Sequence, residues 1–207
     1  MAVNVVELLE DLPSAQHGYF TRAQASAAGV EDYDLHRAEA NGFIERVGHG
    51  TYRAVGAPTD RLGALRVAWL RLSPKATPRQ RTINPAIWVS HESAASVHGF
   101  GVLLADTPTF TSSRRLQPPK TVKVHRRSGG LARSEWTVID GFAVTQVHRT
   151  AADLLADGAD GGHLGRFIGD ALRSGATDPE LVRGAMGIDE DEFAAVLSMS
   201  SERGGHQ

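Results

Sequence analysis

Apolar and polar positions in the first quarter of the chain predict two short helices followed by a β-hairpin. Thr21 and Gln24 have the spacing of a reciprocal capping box, so the first helix begins at Thr21, and Gly29 ends it. A second helix fits residues 32–41. Two short strands then flank the turn at residues 48–50, whose glycines can take the positive φ that a tight turn needs. This order of elements predicts a winged helix-turn-helix, with the hairpin as the wing.

The second helix has one apolar and one polar side. At about 100° per residue, Leu35 and Ala38 point one way, whereas Tyr33, His36, Arg37 and Ala40 point the other. We expect the first side to lie in the core. The outward side is the one that enters the major groove of DNA in a helix-turn-helix. Residues 1–56 nevertheless hold four arginines and eight acidic residues, few cations for phosphate contacts. The motif therefore favours DNA binding, and protein contact stays open as the alternative.

The remaining pattern predicts a second domain. An amphipathic helix at residues 3–12 precedes the helix-turn-helix, and a Pro/Gly hinge at residues 56–59 follows it. Strands are predicted at residues 87–89, 109–111, 121–125, 136–139 and 142–145, and helices at residues 62–72, 91–98 and from residue 147 onward. The expected fold class is α+β. A winged helix-turn-helix domain would span residues 1–56, and a mixed α/β domain with a small sheet and a helical end would span residues 60–200.

Composition bears on the compartment of the protein. The 207 residues include no cysteine, which excludes disulfides and thiolate metal sites and suits a reducing cytosol. No apolar stretch approaches the roughly 18 residues of a membrane span, and the first residues are acidic, unlike those of a signal peptide. We therefore expect a cytoplasmic monomer without a membrane partner.

The net charge of −2 conceals a division along the chain. Residues 57–150 hold 14 Lys and Arg and 5 acidic residues, whereas residues 151–207 hold 4 and 11. Such asymmetry indicates an anionic partner for the middle of the chain, or docking of the acidic end on it. The basic positions expected to bind such an anion lie between the predicted strands: Arg114, Arg115, Lys120, Lys123, Arg126 and Arg127.

Two motifs suggest a chemistry that their spacing does not support. His91 and His98 lie two helical turns apart, about 10.5 Å at 1.5 Å per residue, too far to bind one ion directly. The glycine-rich stretch at residues 158–165 follows a helix and matches neither the P-loop nor the dinucleotide fingerprint. We therefore expect no catalytic residue, no metal site and no cofactor.

Several segments of the chain resemble the AbiEi-type antitoxins of bacterial abortive-infection toxin–antitoxin pairs. In chain order they are GYFTRAQASAAGV, FIERVGHGTYR, VSHESAASVHGFG, IDGFAVTQVHRTAADLL and DALRSG. The resemblance implies a winged helix that binds an inverted repeat in the operon's own promoter, and a C-terminal domain that neutralises a partner nucleotidyltransferase toxin. It also implies which residues face DNA: Thr21, Arg22, Tyr33, His36, Arg37, Arg46, His49 and Arg53. The basic positions from Arg114 to Arg127 become candidates for binding the toxin.

Three functions follow as alternatives. The first is a binding antitoxin that also represses its own promoter. The second is an antitoxin that contacts protein alone, through a winged helix that has lost DNA binding. The third is an enzyme that modifies the toxin covalently, for example by phosphotransfer. Because no nucleotide-binding signature supports the enzyme, the sequence favours a binding antitoxin that regulates its own operon.

Overall fold

The computed structural model describes residues 16–101 and 105–199. The helix expected at residues 3–12 lies outside them. The chain divides into two compact units, residues 1–85 and residues 86–207, and both contain helices and strands. The α+β fold class is therefore confirmed. Within the described residues, no helix has the length and apolar character needed to cross a bilayer.

The first unit combines a small sheet with four short helices in its described part. Its elements are β1 (Tyr19–Thr21), α1 (Arg22–Ala27), α2 (Asp32–Ala40), β2 (Ile44–Gly48), β3 (Thr51–Ala54), α3 (Gly63–Leu72) and α4 (Pro78–Ile83). The strands form an antiparallel sheet in the order β1-β3-β2. Helix α1 begins with the expected capping box, in which the amide of Gln24 donates to Oγ1 of Thr21 at 3.1 Å.

The first unit extends well beyond the hinge expected at residues 56–59. Helix α3 packs on β1 and β3 and buries Leu65, Ala68 and Trp69. It also carries Arg66, whose side chain is 1% exposed and whose Nε donates to Oδ2 of Asp60 at 2.7 Å. Since a helix with this buried face needs the sheet beside it, residues 57–85 belong with the first sheet and not with the second unit.

The second unit is built on a five-stranded mixed sheet in the order β6-β5-β4-β8-β7. Its elements are β4 (Ile87–Val89), α5 (His91–His98), β5 (Thr109–Ser112), β6 (Lys123–Arg126), a 3-10 turn (Arg133–Glu135), β7 (Trp136–Ile139), β8 (Phe142–Thr145), α6 (Val147–Ala156), α7 (Gly161–Arg173), α8 (Pro179–Met186) and α9 (Glu190–Ser198). Strand β4 runs parallel to β8, and β5 runs parallel to β6. The small sheet and the helical end expected from the sequence are both present.

The helical end encloses an apolar core of its own. Leu154 of α6, Phe167 and Ile168 of α7 and Val182 of α8 are almost fully buried together with Phe193 of α9. Each of these short helices is too short to be stable alone, so the shared core holds them in place.

His98 ends helix α5 inside the second unit. Its Nε2 atom lies 2.8 Å from the carbonyl oxygen of Thr145, which gives this ring nitrogen a hydrogen-bond partner. Burial lowers the pKa of His98, although the hydrogen bond to Thr145 acts in the opposite direction. Burial likewise lowers the pKa of His91 and of His148. The folded unit therefore favours the neutral form of all three rings.

We expect the second unit to lose stability as the pH falls below about 6.5, the pKa of an unfolded histidine. Between that value and the lower folded pKa, the unfolded chain binds protons that the folded chain does not, so acid favours unfolding. Thermal melts of the full chain between pH 7.5 and pH 5.5 should show this fall. His98→Gln keeps a donor for the Thr145 carbonyl and cannot be protonated, so its melts should depend less on pH. Equal pH dependence in the two proteins would contradict the role of His98.

Candidate nucleic-acid interface

Helix α2 presents a polar face to solvent. Leu35 and Ala38 lie in the core of the first unit, as the helical pattern predicts. On the opposite side Tyr33 is 71% exposed, and His36 and Arg37 are also exposed. Because most of the Tyr33 side chain faces solvent and does not pack in the core of the unit, this face of α2 is accessible to a ligand.

Arg22 joins the hairpin turn to both helices. Its backbone N–H donates to the carbonyl oxygen of Gly50 at 2.9 Å, which fixes the turn beside the start of α1. Its Nε donates to Oδ1 of Asp32 at 2.6 Å at the start of α2, and this hydrogen bond raises the pKa of Arg22. The guanidinium is 59% exposed, so it reaches solvent while Asp32 offsets part of its charge.

A cleft of about 240 Å³ lies between α2 and the hairpin. It is lined by Arg22, Asp32, His36, Arg46, His49, Gly50 and Tyr52. Four of the predicted DNA-contacting residues therefore surround one depression: Arg22, His36, Arg46 and His49. The structure places them together on one side of the first unit, which a single docked ligand requires.

A larger cleft of about 730 Å³ adjoins the other side of the hairpin turn. Helix α1, the turn at His49 and the end of α3 form its walls, and the described residues that line it include no carboxylate. Arg22, His49, Arg71 and Lys75 supply its positive or titratable groups, and we call these four residues the cationic cleft. A groove whose described lining includes three cations and no carboxylate is suited to a phosphate backbone.

Arg71 and Lys75 line this cleft, and the sequence analysis does not include them among the candidate DNA contacts. Both belong to the stretch that it assigns to the second domain. The first unit, residues 1–85, holds ten Lys and Arg and nine Asp and Glu. The excess of acidic residues counted over residues 1–56 is therefore absent from the unit as a whole. The basic residues of the loop that begins at Lys75 are visible in the sequence, but only the packing of α3 assigns this loop to the first unit.

Two predicted DNA contacts serve the fold instead. Thr21 is fully buried, and its Oγ1 accepts from the amide of Gln24 and donates to the carbonyl of Pro74 at 2.5 Å. Arg53 is 18% exposed, pairs with Glu45 at 3.1 Å and donates to the carbonyls of Ala57 and Pro58 at 2.7 Å each. Because Thr21 caps α1 and Arg53 fixes the chain after β3, neither side chain lies free at the surface.

The basic positions of the second unit differ in their surroundings. Nζ of Lys123 lies 2.6 Å from Oδ2 of Asp157, and Arg127 pairs with Glu135 at 3.2 Å. The Lys123 pair joins β6 to the end of α6, so part of the positive middle contacts the acidic end within this unit. The other four side chains are exposed, and we call them the basic surface: Arg114, Arg115, Lys120 and Arg126.

Comparison with known proteins finds a family model that matches part of the chain and a solved structure of similar fold. Residues 7–55 match the model of a family described as "Transcriptional regulator, AbiEi antitoxin". No curated protein matches the chain. The crystal structure of the RV2827C protein from Mycobacterium tuberculosis is similar in fold, with a TM-score of 0.50 and 12% identity over 95% of this chain and 77% of that one. The resemblance drawn from the sequence is thus confirmed for one segment: residues 7–55 are similar to the transcriptional-regulator domain of AbiEi antitoxins.

Proposed function

We propose that this protein is the antitoxin of a toxin–antitoxin pair, and that its first unit is a winged helix-turn-helix that represses its own promoter. The observation that carries the proposal is the match of residues 7–55 to antitoxin transcriptional regulators. It is supported by the exposed face of α2 and the cationic cleft beside the hairpin turn. A repressor needs both a reading face and phosphate contacts, and the face of α2 and the cationic cleft are the candidates for these two roles.

In this proposal α2 lies in the major groove and Tyr33, His36 and Arg37 reach the base edges. The hairpin turn with Arg46 and His49 follows the neighbouring backbone. Arg71 and Lys75 neutralise phosphates on the other side of the turn. An inverted repeat would then hold two copies of the chain, one on each half-site.

The second unit would neutralise the partner, which we propose to be a nucleotidyltransferase toxin. The support for this step is the resemblance of the chain to AbiEi antitoxins together with the basic surface. Four exposed cations on one unit favour a partner with an acidic face, since charge complementarity steers association and selects partners. The proposal therefore assigns DNA to the first unit and the toxin to the second.

Two double charge reversals in the full chain test this division. Arg71→Glu/Lys75→Glu should release a promoter–reporter fusion from repression while cells still survive expression of the toxin. Arg115→Glu/Lys120→Glu should keep the reporter repressed and lose protection. Both variants change the net charge equally, so each is the matched control of the other, and exposed charges add little to stability. If either variant loses both activities while it remains folded, the division between units is wrong.

The same toxin distinguishes binding from covalent modification. In the proposed mechanism the antitoxin acts by contact, so the mass of the toxin should stay unchanged after incubation with the antitoxin and ATP. Intact-mass spectrometry measures this directly. A mass increase that requires the antitoxin would replace the contact mechanism with an enzymatic one.

A further inference from the structure

Two histidines and a carboxylate from three separate elements meet in the second unit. His91 is the first residue of α5 and is 4% exposed, His125 lies on β6, and Asp157 follows the end of α6. Their candidate ligand atoms all lie within 4.8 Å of one another. The two imidazole rings stack, with centroids 3.9 Å apart and an interplanar angle of 18°. We call these three residues the histidine cluster.

The sheet fixes the positions of both rings. Strand β5 pairs with β4 on one side and with β6 on the other, and Thr111 is the residue opposite His125. Oγ1 of Thr111 donates to Oγ of Ser90 at 3.0 Å, and that hydroxyl lies 2.9 Å from Nδ1 of His91. His91 itself has a φ of +55°, a conformation that few side-chain-bearing residues adopt. Backbone strain of this kind persists only where the surrounding structure enforces it.

The cluster contains a polar atom that the fold leaves unsatisfied. Among the described residues, no hydrogen-bond partner reaches Nε2 of His125, although this atom is buried. Buried polar atoms are rarely left unpaired, so a ring nitrogen in this state indicates a missing ligand. The carboxylate of Asp157 beside the two imidazoles makes a set of metal-ligand types, which suits a cation and not an anion.

We propose that His91, His125 and Asp157 bind one divalent transition-metal ion, with Zn²⁺ as the best match. Imidazole nitrogen and carboxylate oxygen are ordinary ligands of this ion, and three protein ligands leave one position for water. Ligand atoms at about 2.1 Å from a tetrahedral ion lie about 3.4 Å apart. The observed ligand atoms, which lie within 4.8 Å of one another, must therefore move closer when the ion binds, and the two stacked rings must turn so that a nitrogen of each points at it.

Neighbouring residues orient the proposed ligands. A proton on Nδ1 of His91 donates to Oγ of Ser90, which leaves the lone pair of Nε2 for the metal. Nζ of Lys123 holds Oδ2 of Asp157 at 2.6 Å, and the other carboxylate oxygen remains for coordination. The ion would connect β6 to the start of α5 and to the end of α6. This site depends on neither DNA nor toxin binding, and its test is independent of the proposed function.

Titration of the full chain with Zn²⁺, after chelator treatment and buffer exchange, tests the site. Calorimetry should show one ion bound per chain, and Co²⁺ in its place should give the visible absorption of a low-coordinate nitrogen–oxygen site. His125→Ala and Asp157→Asn should each weaken binding by at least a hundredfold. His163→Ala, which removes an exposed histidine from the same unit, is the matched control and should bind as the wild type does.

Ser90→Ala tests the orienting hydrogen bond and should weaken Zn²⁺ binding about ten- to a hundredfold. If the ligand variants fail to fold, X-ray absorption of the Zn²⁺-loaded wild type replaces them and should show two imidazole ligands. Zn²⁺ should also raise the melting temperature of the wild type. The proposal is overturned if the wild type binds no stoichiometric Zn²⁺, if folded His125→Ala binds it equally well, or if absorption shows fewer than two imidazoles.

Discussion

Arg71→Glu/Lys75→Glu should weaken binding of the chain to its own promoter DNA by ten- to a hundredfold, on the order of 1–3 kcal/mol. Both side chains line the cationic cleft beside the hairpin turn, where no carboxylate of the described lining offsets them. Charge reversal removes two phosphate contacts and adds repulsion. Binding to scrambled DNA should weaken as well, because phosphate contacts carry no sequence information.

The salt dependence separates lost contacts from a damaged fold. Fluorescence anisotropy with labelled DNA at several salt concentrations should give a log–log slope that is shallower by about two in the variant. Arg115→Glu/Lys120→Glu changes the net charge equally but lies in the second unit, so it should retain both affinity and slope. An unchanged slope for Arg71→Glu/Lys75→Glu would show that the cleft does not contact phosphate.

Asp60→Ala should lower the free energy of unfolding of the first unit by about 3–5 kcal/mol. The mutation leaves the side chain of Arg66 buried, at 1% exposure, without the carboxylate that lies 2.7 Å from its Nε. Burial by itself would raise the pKa of Asp60, but the hydrogen bonds from Arg66 and from the amide of Leu62 lower it. The pair is therefore charged in the folded protein, and removal of one partner leaves a buried charge.

Hydrogen exchange of the full chain, followed by mass spectrometry, measures this loss in each unit separately. Peptides from residues 16–85 should exchange faster in Asp60→Ala, and peptides from residues 105–199 should not change. Asp60→Leu/Arg66→Met removes both charges and should recover most of the protection, since an apolar replacement of a buried pair is often neutral. If hydrogen exchange in Asp60→Ala is as slow as in the wild type, the pair does not stabilise the fold.

Local patterns predicted the short-range structure well. The capping spacing of Thr21 and Gln24 located the start of α1, and the apolar pair Leu35 and Ala38 fixed which side of α2 is buried. The strands predicted at residues 136–139 and 142–145 also form, joined by a turn with positive φ at both Asp140 and Gly141. Each of these features depends on residues within one turn or hairpin, so sequence spacing contains the necessary information.

Long-range packing accounts for what the sequence did not predict. Thr21 was taken for a surface residue because nothing near it in sequence indicates that the Pro74 carbonyl covers it. Arg71 was assigned to another domain because a Pro/Gly stretch suggests a boundary, whereas the buried face of α3 decides where that helix packs. Such contacts join residues far apart in the chain, and a one-dimensional pattern does not encode them.

The histidine cluster shows the same limit for chemistry. Spacing along α5 predicts no site shared by His91 and His98, because two helical turns separate them. The partners of His91 are instead His125 and Asp157, on a strand and at the end of a helix. Sheet order brings them together, and the order β6-β5-β4 follows from tertiary structure alone.

Binding of the 207-residue chain to its own promoter, compared with scrambled DNA of the same length and composition, tests whether the protein is a sequence-specific repressor. Competition anisotropy at about 0.15 M salt should show at least a thousandfold preference for the promoter, the lower end for specific DNA-binding proteins. This preference should require Arg37, on the outward face of α2, since base contacts carry the specificity. Equal affinity for both DNAs would contradict this function.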